Sequence, residues 1–92
     1  MRVQWTEGAE RNLEEIAVFI ARDNPGAAAA TILKILRRVA DQLSAFPASG
    51  KPGRLPETRE LVFPGLPYVV VYTVIDRAVT ILRVFHAARN IE

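Results

Sequence analysis

The residues able to do chemistry in this chain are few and almost all basic. His86 is the single histidine, Arg83 and Arg89 stand three residues to either side of it, and Arg59, Arg54 and Lys51 lie upstream. An imidazole titrates near neutrality and suits proton transfer, while a guanidinium offers a planar fork to phosphates or carboxylates. A lone histidine at a strand end nevertheless serves more often as a packed or hydrogen-bonding group than as a catalyst. No acid, base and nucleophile stand at a telling spacing, and Ser44 and Ser49 have no evident base. With no cysteine, disulfides, thiolate nucleophiles and cysteine-based zinc sites are excluded together. One histidine makes no usual zinc cluster, and the acidic residues do not follow a calcium-loop pattern. Neither metal nor cofactor is implied. From the residues alone, the chain has a basic corner whose chemistry stays open.

The bulk properties narrow the setting. Twelve Lys and Arg against ten Asp and Glu leave a net charge of +2, too little to imply nucleic-acid binding from the total. Only two of the twelve are lysine, which favours planar bidentate contacts over diffuse attraction. Ninety-two residues form a single domain, 1–92, and a 50% hydrophobic composition with mean hydropathy +0.13 is rich for that size. Surplus apolar surface on a small domain points to a long-lived partner. No apolar run approaches the roughly 18 to 20 residues that span a bilayer, and MRVQWTEGAE has no signal-peptide core. The expected location is the cytoplasm.

The elements that must position the basic residues can be read from periodicity. Residues 58–63, 68–75 and 79–86 are rich in β-branched and aromatic side chains and predict an antiparallel meander. Pro64-Gly65 suits a type II turn and Asp76-Arg77 a two-residue hairpin. With Ile75 opposite Ala78, unbroken alternation puts Val69, Val71, Thr73, Thr80, Leu82, Val84 and His86 on one face. Tyr68, Val70, Tyr72, Val74, Val79, Ile81, Arg83 and Phe85 fall on the other. Both are largely apolar, so helices should cover one, and a partner or loops the other.

Arg2 to Trp5 alternate as an extra strand. Thr6 is the expected N-cap of a helix over about 7–22, with Leu13, Ile16, Ala17 and Ile20 inward and an Arg11/Glu15 pair outward. Asn24-Pro25 ends it and caps a second helix, whose apolar stripe is Ala28, Ile32, Ile35, Leu36, Val39 and Leu43, and Phe46-Pro47 stops it. So short a link makes the two helices an antiparallel hairpin. Residues 47–57, PASGKPGRLPE, read as a basic loop. The expected fold class is α+β: a short N-terminal strand and an antiparallel helical hairpin packed on a C-terminal antiparallel β-meander.

In that order, VQWTEGAERNLEEIAVFIARDNPGAA followed by TRELVFPGLPYVVVYTVIDRAVTILRVFHAAR resembles the RelE/ParE superfamily of type II toxin-antitoxin toxins over nearly the whole chain. The stretch from Thr58 to Arg89 is its specific part. The resemblance implies a growth-inhibiting toxin neutralised by a cognate antitoxin, with DNA contact made only through the antitoxin. RelE-like members cleave mRNA on the ribosome with basic residues on the sheet, whereas ParE-like members bind DNA gyrase. Glu60 and Val62 stand where the RelE-like pattern has lysines and Val69 where it has an arginine; only Arg89 matches. An aliphatic group cannot stabilise the charge that develops in phosphodiester cleavage. The FPASGKPGR loop, TRELV and FHAAR resemble the ParE-like branch. The expectation is therefore a non-catalytic gyrase inhibitor with Arg59, His86 and Arg89 as target contacts and Lys51 and Arg54 as weaker ones. A ribosome-dependent mRNA endoribonuclease using His86 and Arg89 is the alternative.

Overall fold

The computed structural model describes residues 1–89, the side chain of Arg89 excepted. Local signals set the helices. Thr6 Oγ1 accepts from the Ala9 amide at 3.1 Å and opens α1 (Glu7–Ala21), whose Glu7 and Glu10 complement the helix dipole. Asn24 Oδ1 accepts from the Ala27 amide at 3.1 Å, and Pro25 takes the first position of α2 (Pro25–Arg38). The helical path then continues as a π-helical turn over Val39–Leu43. Ala28, Ile35, Val39 and Leu43 are buried along it, with Ile32 packed against the core. Leu36 leaves the expected stripe and is 37% exposed: one residue past Ile35, it is rotated roughly 100° about the axis. Arg11 does not pair with Glu15 but reaches back to Glu7 at 3.9 Å, an exposed contact worth little.

The sheet has five strands. β1 (Arg2–Trp5) lies parallel to β5 (Ala78–His86), which pairs with β4 (Leu66–Ile75), then β3 (Arg59–Phe63), then β2 (Lys51–Pro52), the last three contacts antiparallel. β4 starts two residues earlier than alternation suggests, because Gly65 at φ 79 closes the turn tightly enough for Leu66 to face Phe63. Asp76 and Arg77 both have positive φ, 51 and 61, as a twisted two-residue hairpin requires.

β2 arises inside the segment read as a loop. Tyr72 draws that segment in: its hydroxyl donates to Pro47 O at 2.7 Å and accepts from Gly50 N at 2.9 Å. A Cβ on Gly50 would lie 2.6 Å from the same hydroxyl oxygen and 2.9 Å from Glu60 O, so only glycine allows the approach.

One prediction about the sheet is corrected. Val71 faces Arg83 but Tyr72 faces Ile81, leaving Leu82 as an extra residue in β5. This bulge resets the alternation. Val84 and His86 join Tyr68, Val70, Tyr72, Val79 and Ile81 on the helix-covered face, while Arg83 and Phe85 move to the open face with Val69 and Val71. The core follows: Tyr72, Val70, Val79 and Ile81 are fully buried against Ala9, Leu13, Ile35, Val39 and Leu43. Among the described residues no helix is long and apolar enough to cross a membrane.

Candidate functional site

The open face is built strand by strand. Lys51 stands opposite Glu60, Glu60 opposite Val71, and Val71 opposite Arg83, so these four form one row across β2, β3, β4 and β5. The next row holds Val62, Val69 and Phe85. Glu60 is 4% exposed, and a carboxylate so placed needs partners. Arg54 supplies them: its backbone N–H donates to Glu60 Oε2 at 3.2 Å and its Nε lies 3.6 Å from the same oxygen. Glu60 thereby fixes the 53–57 segment over the sheet. The Arg54 side chain stays half-exposed, with its guanidinium carbon 5.4 Å from the Phe85 ring centroid. Arg83 approaches the same ring at 4.9 Å. These groups, with Leu55 and Val71, line a hollow of about 190 Å³.

Arg59 is placed apart from Arg54. It stands opposite Tyr72 on the helix-covered face and donates through Nη1 to Gly50 O at 2.7 Å, so its guanidinium closes the same loop that Tyr72 anchors. His86 stands at the far end of β5 opposite Tyr68, the two rings edge to face at 5.4 Å and 86°. Its Nδ1 accepts from the Ala88 amide at 3.1 Å, so the neutral ring carries its proton on Nε2. It borders a second hollow of about 240 Å³ with Asn12, Glu15, Phe19 and Tyr68. Asn12 Oδ1 accepts from Val84 N at 3.0 Å, tying α1 to β5 beyond the end of β1. Arg89 closes the 3-10 turn Ala87–Arg89, and its side chain lies outside the described residues.

The predicted residues therefore divide. Lys51 and Arg54 share the open face, His86 sits at the sheet end, and Arg59 is engaged inside. Sequence reasoning missed Arg83 and Phe85 as members of the open face. The available signal was Arg83 itself, a charge that alternation had assigned to an otherwise apolar face.

Chemically, the open face offers cation–aromatic and aliphatic surface. Where the RelE-like pattern implies cations, it holds a buried carboxylate already engaged by Arg54, a half-exposed Val62 and a buried Val69. Ser49 Oγ accepts from Gln42 and Ser44 Oγ donates to Asp41 O; neither meets a side-chain base. Among the described residues no group of three His, Cys, Asp or Glu side chains could hold a metal.

Comparison with known proteins agrees with the fold. The profile of the family described as ParE toxin of the type II toxin-antitoxin system parDE matches residues 3–91. The Sinorhizobium fredii protein Y4kP is 48% identical over 86 residues, covering 94% of this chain and 88% of that one. Toxin RelE2 of Caulobacter vibrioides is 36% identical over 88 residues, covering 96% and 97%. Among solved structures, a chain of the chromosomal ParDE toxin-antitoxin system of P. aeruginosa superposes with a TM-score of 0.83 at 24% identity, covering 94% of this chain and 95% of that one. A chain of the Mycobacterium tuberculosis RelBE2 toxin-antitoxin complex gives 0.66 at 28% identity, covering 92% and 95%.

Proposed function

The chain belongs to the ParE toxin family of type II toxin-antitoxin systems, and from that premise we propose that it stops growth by gripping DNA gyrase rather than by cutting RNA. The observation that carries this reading is the composition of the open face, where Glu60, Val62 and Val69 occupy the places a ribonuclease relative fills with cations. Such a surface can hold a protein. At those three positions it lacks the charges that lower the barrier to phosphodiester cleavage. Phe85 between Arg54 and Arg83, with Lys51 in the adjoining row, is the contact we assign to the target; an aromatic flanked by arginine is the composition of interface hot spots. Arg59 acts through the loop it holds, and His86 and Arg89 extend the contact at the sheet end.

The partner in the cell is a cognate antitoxin, as the toxin-antitoxin complexes among the structural relatives suggest. Its occupancy accounts for Val18, Phe19, Leu33 and Leu36, exposed on the helical hairpin. Promoter DNA is reached through the antitoxin.

A supercoiling assay with purified gyrase tests the reading. The chain is expected to inhibit supercoiling and accumulate cleaved DNA, and Phe85→Ala to lower potency tenfold or more while the melting transition is kept. The second reading, a ribosome-dependent mRNA endoribonuclease, draws on the exposed end of the sheet where His86 is oriented by Tyr68 and Ala88. Codon-specific transcript cleavage on translating ribosomes, lost in His86→Ala, would establish that reading and overturn the first.

A further inference from the structure

Three cations gather away from both clusters, where the long helix passes the β3–β4 turn. Lys34 and Arg37 are exposed and Arg38 is half-buried. With Phe63, Gly65 and Leu66 they border an open hollow of about 420 Å³. Positions i, i+3 and i+4 of a helix share one side, so the three charges act together. No carboxylate lines the hollow. Asp41, the nearest acid further along the helix, borders a neighbouring hollow with Gln42, Phe46 and Arg38 itself. Among the described residues none of the three cations has an ion pair.

The helix dipole does not account for this concentration. It acts within the last turn, whereas the helical backbone runs on past Arg38 through Val39–Leu43 to Ala45. Arg38 is also held without being satisfied. Its guanidinium carbon lies 5.5 Å from the Phe63 ring centroid, and its Nε is shut off from solvent with no hydrogen-bond partner. Orphaned donors of this kind are rare. Lifting Nε toward an incoming anion breaks no existing bond.

We propose that Lys34, Arg37 and Arg38 form a contact for the phosphate backbone of duplex DNA. An acidic peptide is the competing occupant, since Phe46, 66% exposed, borders an adjoining hollow with Arg38 and could anchor a protein. Duplex DNA is favoured because the hollow shared by all three cations has only Phe63 as its aromatic ring, 6% exposed beneath Arg38. Phosphate contacts need only charge and N–H donors. The inference rests on the gyrase reading, since gyrase is where the toxin meets DNA. It adds a direct contact to one that the sequence assigned to the antitoxin alone.

The test measures binding of the full chain to a short blunt-ended DNA duplex across a salt series, beside the variant Lys34→Gln/Arg37→Gln. Both side chains are exposed, so the fold should survive, which thermal melting checks. Each phosphate contact contributes roughly 0.9 to the slope of log affinity against log salt, so the variant slope should be shallower by about two. Arg38→Lys keeps the charge but removes Nε, and should weaken binding at constant slope. An unchanged slope in the double variant overturns the proposal. So does polyglutamate binding as tightly as DNA, which marks an acidic-protein site, or inorganic phosphate alone matching the duplex, which marks a site for the free ion. The supercoiling assay separates the two levels. Inhibition of gyrase with an unchanged slope removes this site and leaves the target reading. A shallower slope without inhibition keeps the DNA contact and removes gyrase as the target.

Discussion

A single hydroxyl decides the shape of the loop beside the candidate site. Tyr72 is fully buried, yet its oxygen serves both Gly50 N and Pro47 O, so phenylalanine at this position would strand a buried amide. Tyr72→Phe is expected to cost about 1 to 3 kcal/mol and to lower the melting temperature by roughly 4 to 8 °C per kcal/mol in a domain of this size; thermal denaturation followed by circular dichroism measures it. Glu60 is the other small part with a long reach. Glu60→Gln removes the charge that faces Arg54, but Arg54 is half-exposed and water screens the pair, so a loss of about 1 kcal/mol is expected. Amide exchange at Arg54, whose N–H is bonded to Glu60 Oε2, should rise with it. Neither role was legible in the sequence. Glu60 read as a place where a cation was missing and Tyr72 as one aromatic of an apolar sheet face, because their partners lie in a loop whose path the sequence does not encode locally.

At the level of elements, what could be read was whatever neighbouring residues decide among themselves. Thr6, Asn24-Pro25, Pro64-Gly65 and Asp76-Arg77 each act within four residues, and each marks the start, end or turn expected of it. The bulge at Leu82 was illegible for the opposite reason. An extra residue in β5 is a relation between two strands, and VTILRVFH alternates well enough to hide it. The two-residue β2 was equally hidden, since its pairing depends on Gly50 being held against Tyr72. The hairpin at Asp76-Arg77 carries a testable cost. Both residues sit at left-handed φ, which non-glycine residues adopt at a cost of about 1 to 2 kcal/mol. Asn-Gly favours that conformation. Asp76→Asn with Arg77→Gly should raise stability by about 1 kcal/mol, offset in part by the glycine's freedom when unfolded, and a urea melt should show a higher midpoint at an unchanged slope.

Taken whole, the molecule leaves large apolar side chains uncovered on one side: Val18, Phe19 and Leu33 are 59%, 46% and 46% exposed on the helical hairpin. Replacing Val18 and Leu33 with glutamine should leave the melting temperature within a few degrees, because neither joins the core cluster, while weakening capture by the antitoxin tenfold or more in a binding titration.

The placement of β1 beside β5 has a consequence for synthesis. Arg2–Trp5 is made before the other strands of the sheet, yet it hydrogen-bonds to Ala78–His86, which is made after them. Prematurely terminated products lacking that strand cannot complete the sheet, so they form neither the core around Val79 and Ile81 nor the open face that carries Arg83 and Phe85.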